Sequence, residues 1–160
     1  MEIKKQLIDP SKYPIKCPHP MEVQWIVIHN TANDATAQNE VAYMQSNNRE
    51  VSYHFAVDDE NIIQALPLDR NAWHAGDRYN ENGGNRCGIG IEICYSKSGG
   101  ERFMKAEENA AWLAAQLLKD FNFDISHLKK HQDFANKKCP HRTIDLGWDR
   151  FVDMVKQHLL

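Results

Sequence analysis

A chain of 160 residues has room for one domain with a single sizeable core, and no second domain is expected. Hydrophobic residues make up 42% and charged residues 26%, with a formal net charge of −3, and no long basic block interrupts the chain, so a nucleic-acid partner is not expected. Nothing approaches a membrane span, and Met1-Glu2-Ile3-Lys4-Lys5-Gln6-Leu7 lacks the apolar core of an export signal, so the expectation is synthesis in a reducing cytoplasm without membrane insertion.

Residues 1–23 carry Pro10, Pro14, Pro18 and Pro20, a density that argues for an ordered arm without regular structure, laid over the body with Ile3, Leu7 and Ile8 covering core. From Gln24 to His29 the side chains are apolar on both alternating faces, which marks a central strand ending at a histidine. Thr36 can cap a helix whose Ala37, Val41 and Met44 fall at helical spacing, ending near Asn47-Asn48. The run Val51 to Val57 alternates with period two and turns at Asp58-Asp59-Glu60-Asn61 into Ile62 to Leu66. That hairpin is expected to neighbour the first central strand.

Residues 69–87 are mostly polar, with Gly76, Gly83 and Gly84, and predict one long surface loop; Trp73 and His74 within it argue for function. Ile89-Gly90-Ile91-Glu92-Ile93-Cys94 predicts another central strand, its glycine and glutamate facing away from the isoleucines. Ala106, Ala110, Leu113, Ala114, Leu117, Leu118 and Phe121 form one helical stripe, and Trp148, Phe151, Val152, Val155 and Leu159 form a second. Between them a short strand around Leu128 leads to His131. The fold class that follows is α/β, a mixed central sheet flanked by helices, in one domain over residues 1–160.

Chemistry concentrates in the stretch from Lys130 to Arg142, which sets two histidines, a cysteine and a basic run in a polar, Pro-interrupted segment. Thiolate and imidazole hold borderline-soft divalent metals such as zinc, and a catalytic site uses about three protein ligands. His131 and Cys139 are two candidates, and His29, at a strand-to-loop transition, is the best third. Four cysteines, Cys17, Cys87, Cys94 and Cys139, would permit two disulfides in an oxidising compartment. Free thiols are expected instead, with Cys94 buried in a strand and Cys139 on the metal. Glu92 stands out as a carboxylate interrupting an apolar strand, since charged side chains are rarely buried unpaired. It is a candidate general base; the plain alternative is a structural glutamate paired with Arg86 or a lysine. His54 reads as a hydrogen-bonded core histidine.

Val27-Ile28-His29-Asn30-Thr31, Ala72-Trp73-His74-Ala75-Gly76, Ile89-Gly90-Ile91-Glu92-Ile93 and Lys137-Lys138-Cys139-Pro140 occur in this order. Together they resemble the zinc-dependent N-acetylmuramoyl-L-alanine amidases of the type-2 family, related to peptidoglycan recognition proteins and the T7 lysozyme. The resemblance is nearest to the catalytic domains of Bacillus phage and prophage endolysins. It implies Zn2+ on His29, His131 and Cys139, Glu92 as the base, and Lys137 beside the developing oxyanion. Asn30, Tyr53, His74 and Arg86 match positions near substrate in relatives, Tyr53 as groove lining. The implied partner is peptidoglycan, cut by a monomer that meets the wall after holin-type release or lysis. Two other readings stay open: a muropeptide-binding module without activity, and a cysteine hydrolase with Cys139 as nucleophile and His131 or His141 as base.

Overall fold

The computed structural model describes residues 1–160 and is built on one mixed six-stranded sheet. The strands are β1 (Ile3–Lys5), β2 (Trp25–Asn30), β3 (Phe55–Val57), β4 (Ile62–Gln64), β5 (Gly88–Ile93) and β6 (Leu128–Lys130), in the spatial order β1-β4-β3-β5-β2-β6. Only β3 and β4 pair antiparallel. The helices are α1 (Tyr13–Lys16), α2 (Ala37–Ser46), α3 (Gly84–Cys87), α4 (Gly100–Asp120), α5 (His141–Leu146) and α6 (Trp148–Leu159). Thr36 caps α2 through a hydrogen bond from the Asn39 amide to its hydroxyl, as expected. The long stripe of α4 packs on β2, β3 and β5, and α6 closes over α4.

The register of the two central strands decides where polar side chains go. Pairing sets Ile28 beside Ile91 and His29 beside Glu92, and paired residues share a face. Ile26, Ile28, Ile89, Ile91 and Ile93 therefore join the apolar core, while His29, Gly90 and Glu92 face the other way. All four cysteines are free and buried.

Several expectations change. The β3-β4 hairpin does not neighbour β2; β5 lies between them and pairs in parallel with both β2 and β3. A strand apolar on both faces is most fully buried when neighbours occupy both its edges, and β5 takes that place. The alternating run from Val51 yields only the short β3, and Val51 is 49% exposed. Ser52 interrupts it: its hydroxyl donates to the Lys16 carbonyl and accepts from the Trp73 amide, which ties the backbone to the arm and the next loop.

The arm holds more regular structure than its prolines suggest. Ile3–Lys5 precede the first proline and add a parallel edge strand to β4. Pro10 and Pro14 sit in the opening turns of a 3-10 helix and of α1, where a missing N–H breaks no bond. Ile8 is buried, but Leu7 is 46% exposed because the extended backbone alternates sides along β4. Residues 69–87 are not a surface loop throughout: Asn71, Ala72, His74, Ala75 and Asn85 are buried. Asn85 Oδ1 accepts from the His74 and Ala75 amides, and the Asp77 carboxylate accepts from those of Gly84 and Asn85. Those side-chain bonds replace a ladder and let the segment fold inward. The six-residue α5, absent from the sequence reading, follows Pro140 and packs on β2.

Candidate metal centre and groove

Three elements converge beyond the carboxyl end of β2. His29 stands on β2 itself, His131 begins the turn after β6, and Cys139 lies in the loop before α5. One ligand atom from each lies within 4.8 Å of the others, and all three residues are buried. His29 Nδ1 is 3.1 Å from His131 Nδ1 and 3.8 Å from Cys139 Sγ. The group could hold a metal ion.

Around it runs a groove of about 590 Å³, lined by His29, His131, Cys139, Glu92, Lys137, Trp73 and Tyr79 among others. A second recess of about 220 Å³ shares Glu92, Lys137 and Cys139 with it and adds Tyr53, Tyr43 and Arg49. Tyr79 is 63% exposed and stands edge-on to Trp73, with ring centroids 5.6 Å apart. One wall is held by Lys16, whose fully buried ammonium donates to Asn47 Oδ1 and to the carbonyls of Arg49 and Val51.

Electrostatics follow from burial. Desolvation holds the imidazoles neutral: His29 lies well below its ordinary value, His131 falls to about 4 and His74 to about 3. Burial, reinforced by Glu40 and opposed by Lys137, pushes Glu92 up to about 8. Its Oε2 is buried without any hydrogen-bond partner, so Glu92 is not the structural half of an ion pair. Burial and then Glu92 push the Cys139 thiol up to about 11, opposite to what a nucleophilic cysteine needs.

The remaining candidates divide. Both lysines are exposed; Lys137 lines both recesses, whereas Lys138 reaches only the second and pairs with Asp145. Tyr53 is buried against the second recess, and its hydroxyl has no partner. Asn30 reaches the groove, yet its side chain is committed: Oδ1 accepts from the Arg142 and Thr143 amides, and Nδ2 donates to Thr143 Oγ1. It anchors the start of α5 rather than presenting a free amide. Arg86 does not line the groove; α3 turns its neighbour Asn85 toward it instead. His74 has both ring nitrogens engaged inside the protein, so it offers no free polar atom to a ligand. His54 is the expected core histidine, accepting from the Gly90 amide and bonded to the Arg70 carbonyl. Glu50, Arg78 and Tyr79 are groove residues that the sequence did not single out; an aromatic in a polar loop was the one available signal.

Comparison with known proteins places this geometry. A family model described as N-acetylmuramoyl-L-alanine amidase matches residues 19–142. The N-acetylmuramoyl-L-alanine amidase XlyB of Bacillus subtilis is 51% identical over 158 residues, covering 98% of this chain and 50% of that protein. CwlA of the same organism, also an N-acetylmuramoyl-L-alanine amidase, is 52% identical over 147 residues, 92% of this chain and 54% of its own length. The chain thus spans about half the length of the curated relatives it matches. The solution structure of the PlyG catalytic domain superposes with a TM-score of 0.93 at 52% identity, covering 100% of this chain and 96% of that one. The structure of PlyL gives 0.93 at 50% identity over 97% of each. By family match, sequence identity and structural superposition, the chain belongs to the N-acetylmuramoyl-L-alanine amidase family.

Proposed function

We propose that this chain hydrolyses the amide between the lactyl group of N-acetylmuramic acid and L-alanine in peptidoglycan, with zinc held by His29, His131 and Cys139. The observation that carries the reading is the meeting of these three donors beside an unpartnered carboxylate, Glu92. Two nitrogens on a tetrahedral zinc stand about 3.3 Å apart, and a nitrogen and a sulfur about 3.6 Å, given Zn–N near 2.0–2.1 Å and Zn–S near 2.3 Å. The separations of 3.1 and 3.8 Å fit that donor set. When bound, the ion supplies Lewis acidity that makes water a nucleophile near neutral pH and polarises a carbonyl.

The chain's own residues do the rest. Glu92 accepts a proton from the attacking water and returns it to the departing amine. Burial raises its proton affinity to about 8, and a cation on the three donors would lower it again, so the loaded site would hold an ionised carboxylate of raised basicity able to accept the proton near neutral pH. Lys137 puts a positive donor beside the carbonyl oxygen as charge grows there. The groove orients the glycopeptide, with Trp73 and Tyr79 as apolar faces on one side and Tyr53 on the other. The wall polymer is the partner, and the chain acts on it as a monomer.

The test is digestion of defined peptidoglycan with mass spectrometry of the products. Expected are new L-alanine amino termini on released stem peptides, abolished by a chelator and restored by zinc. Activity that survives chelation but not thiol alkylation would point to Cys139 as nucleophile. Binding without new amino termini would leave a recognition module.

A further inference from the structure

We propose that His74 is a positioning residue for the metal centre: by accepting a hydrogen bond from His29 Nε2, it fixes the His29 tautomer and ring so that Nδ1 presents its lone pair to zinc. This rests on the zinc reading above, and it assigns a task to a groove-lining side chain whose two ring nitrogens are both used inside the protein.

The argument uses donors and acceptors alone. A zinc ion on His29 Nδ1 excludes a proton there, so the ring's proton must sit on Nε2. That atom faces His74 Nδ1 at 2.8 Å, which must therefore accept. His74 then carries its own proton on Nε2, and the atom 3.0 Å away is the Gly88 carbonyl oxygen, a group that can only accept. Every step agrees, and the chain ends on backbone, which cannot change its role. His131 has no comparable partner on its second nitrogen, so the histidine pair is oriented from the His29 side.

The fold builds the seat for His74. A side chain on Gly90 would put a Cβ 2.9–3.0 Å from His74 Cγ, Cδ2 and Nδ1, so only glycine in β5 leaves room for the ring. Asn85 holds the His74 amide from behind. Outer partners that orient a ligating histidine typically change metal affinity by about 10–100-fold when removed.

The test measures zinc affinity by chelator competition in the whole chain, with thermal unfolding as a check on folding. His74→Leu should weaken zinc binding about 10–100-fold, and the His29 Nε2–H resonance, slowly exchanging in the metal-free parent, should be lost. His74→Asn keeps an acceptor near the Nδ1 position and should recover most of the affinity. Gly90→Ala displaces the ring without touching a ligand and should weaken binding in the same direction; it decides the matter should His74→Leu fail to fold. Folded His74→Leu or Gly90→Ala protein that binds zinc as tightly as the parent overturns the proposal while leaving the metal site standing. A parent chain that takes up no zinc overturns both.

Discussion

Glu92 is held in a place that costs stability, a cost that the proposed mechanism turns to chemistry, and Glu92→Gln separates the two. Its carboxyl titrates at about 8 in the folded chain against 4.5 for an unperturbed glutamate. Below about pH 4.5 both folded and unfolded forms carry the proton, and the group contributes nothing. Between 4.5 and about 8 the unfolded chain releases its proton while the folded chain keeps it. The unfolded state then binds fewer protons, so stability falls as pH rises through that window. At about 1.4 kcal/mol for each pH unit the ceiling is roughly 5 kcal/mol above pH 8 and about 3 kcal/mol near pH 7. The carboxylate borders the groove, and water there reduces the figure to roughly 1–3 kcal/mol near pH 7.

Glutamine is neutral at every pH, so the variant lacks this slope. Urea unfolding of chelator-treated parent and variant should show equal stability near pH 4.5 and a variant advantage that grows toward pH 8. The titrations of His29 and His131 are common to both proteins and cancel in the difference. With zinc restored, the same variant should keep its metal and lose about 10²–10⁴-fold in turnover. A stability difference that is flat across the window refutes the burial argument. Near-normal turnover with zinc fully bound removes Glu92 as the base.

Two further substitutions test the groove. Lys137→Met should lower turnover by about 10²–10³-fold, whereas Lys138→Met, which removes an exposed ion pair with Asp145 and borders the second recess alone, should change activity and stability little; steady-state rates on peptidoglycan decide, and an intact Lys137→Met enzyme sinks the oxyanion assignment. Tyr53→Phe deletes a buried hydroxyl that has no partner, so the urea midpoint should rise by the equivalent of about 1 kcal/mol while turnover stays near that of the parent. A hundredfold loss of rate there would make Tyr53 a participant in catalysis.

Elements built on short-range patterning were open to reading before any coordinates. The stripe of α4 and the Thr36 cap of α2 each rest on residues three or four positions apart, and both appear where the periodicity puts them. Strand order was less accessible. Nothing local says that β5, which comes after the hairpin in the chain, inserts between β2 and β3, because a parallel pairing is set by a crossover and not by a turn. Val51 shows the same limit from another side, since the hydroxyl of Ser52 ends the alternation by bonding to two distant segments.

The donors and their supports differ for a related reason. Soft and nitrogen ligands are few, and only a handful of arrangements let His29, His131 and Cys139 meet, so residue type together with motif narrows the set. Supporting residues carry no such mark. Asn30 and His74 look like polar residues of accessible loops, and each could have faced a glycopeptide. Their roles depend on whether the Thr143 hydroxyl or the Gly88 carbonyl stands within 3.2 Å, and that is settled by α5 folding over β2 and by the bare face of Gly90. On the proposed reading, a glycine opposite a buried imidazole is thus as much a part of the metal centre as a ligand is, although its contribution is the space it leaves.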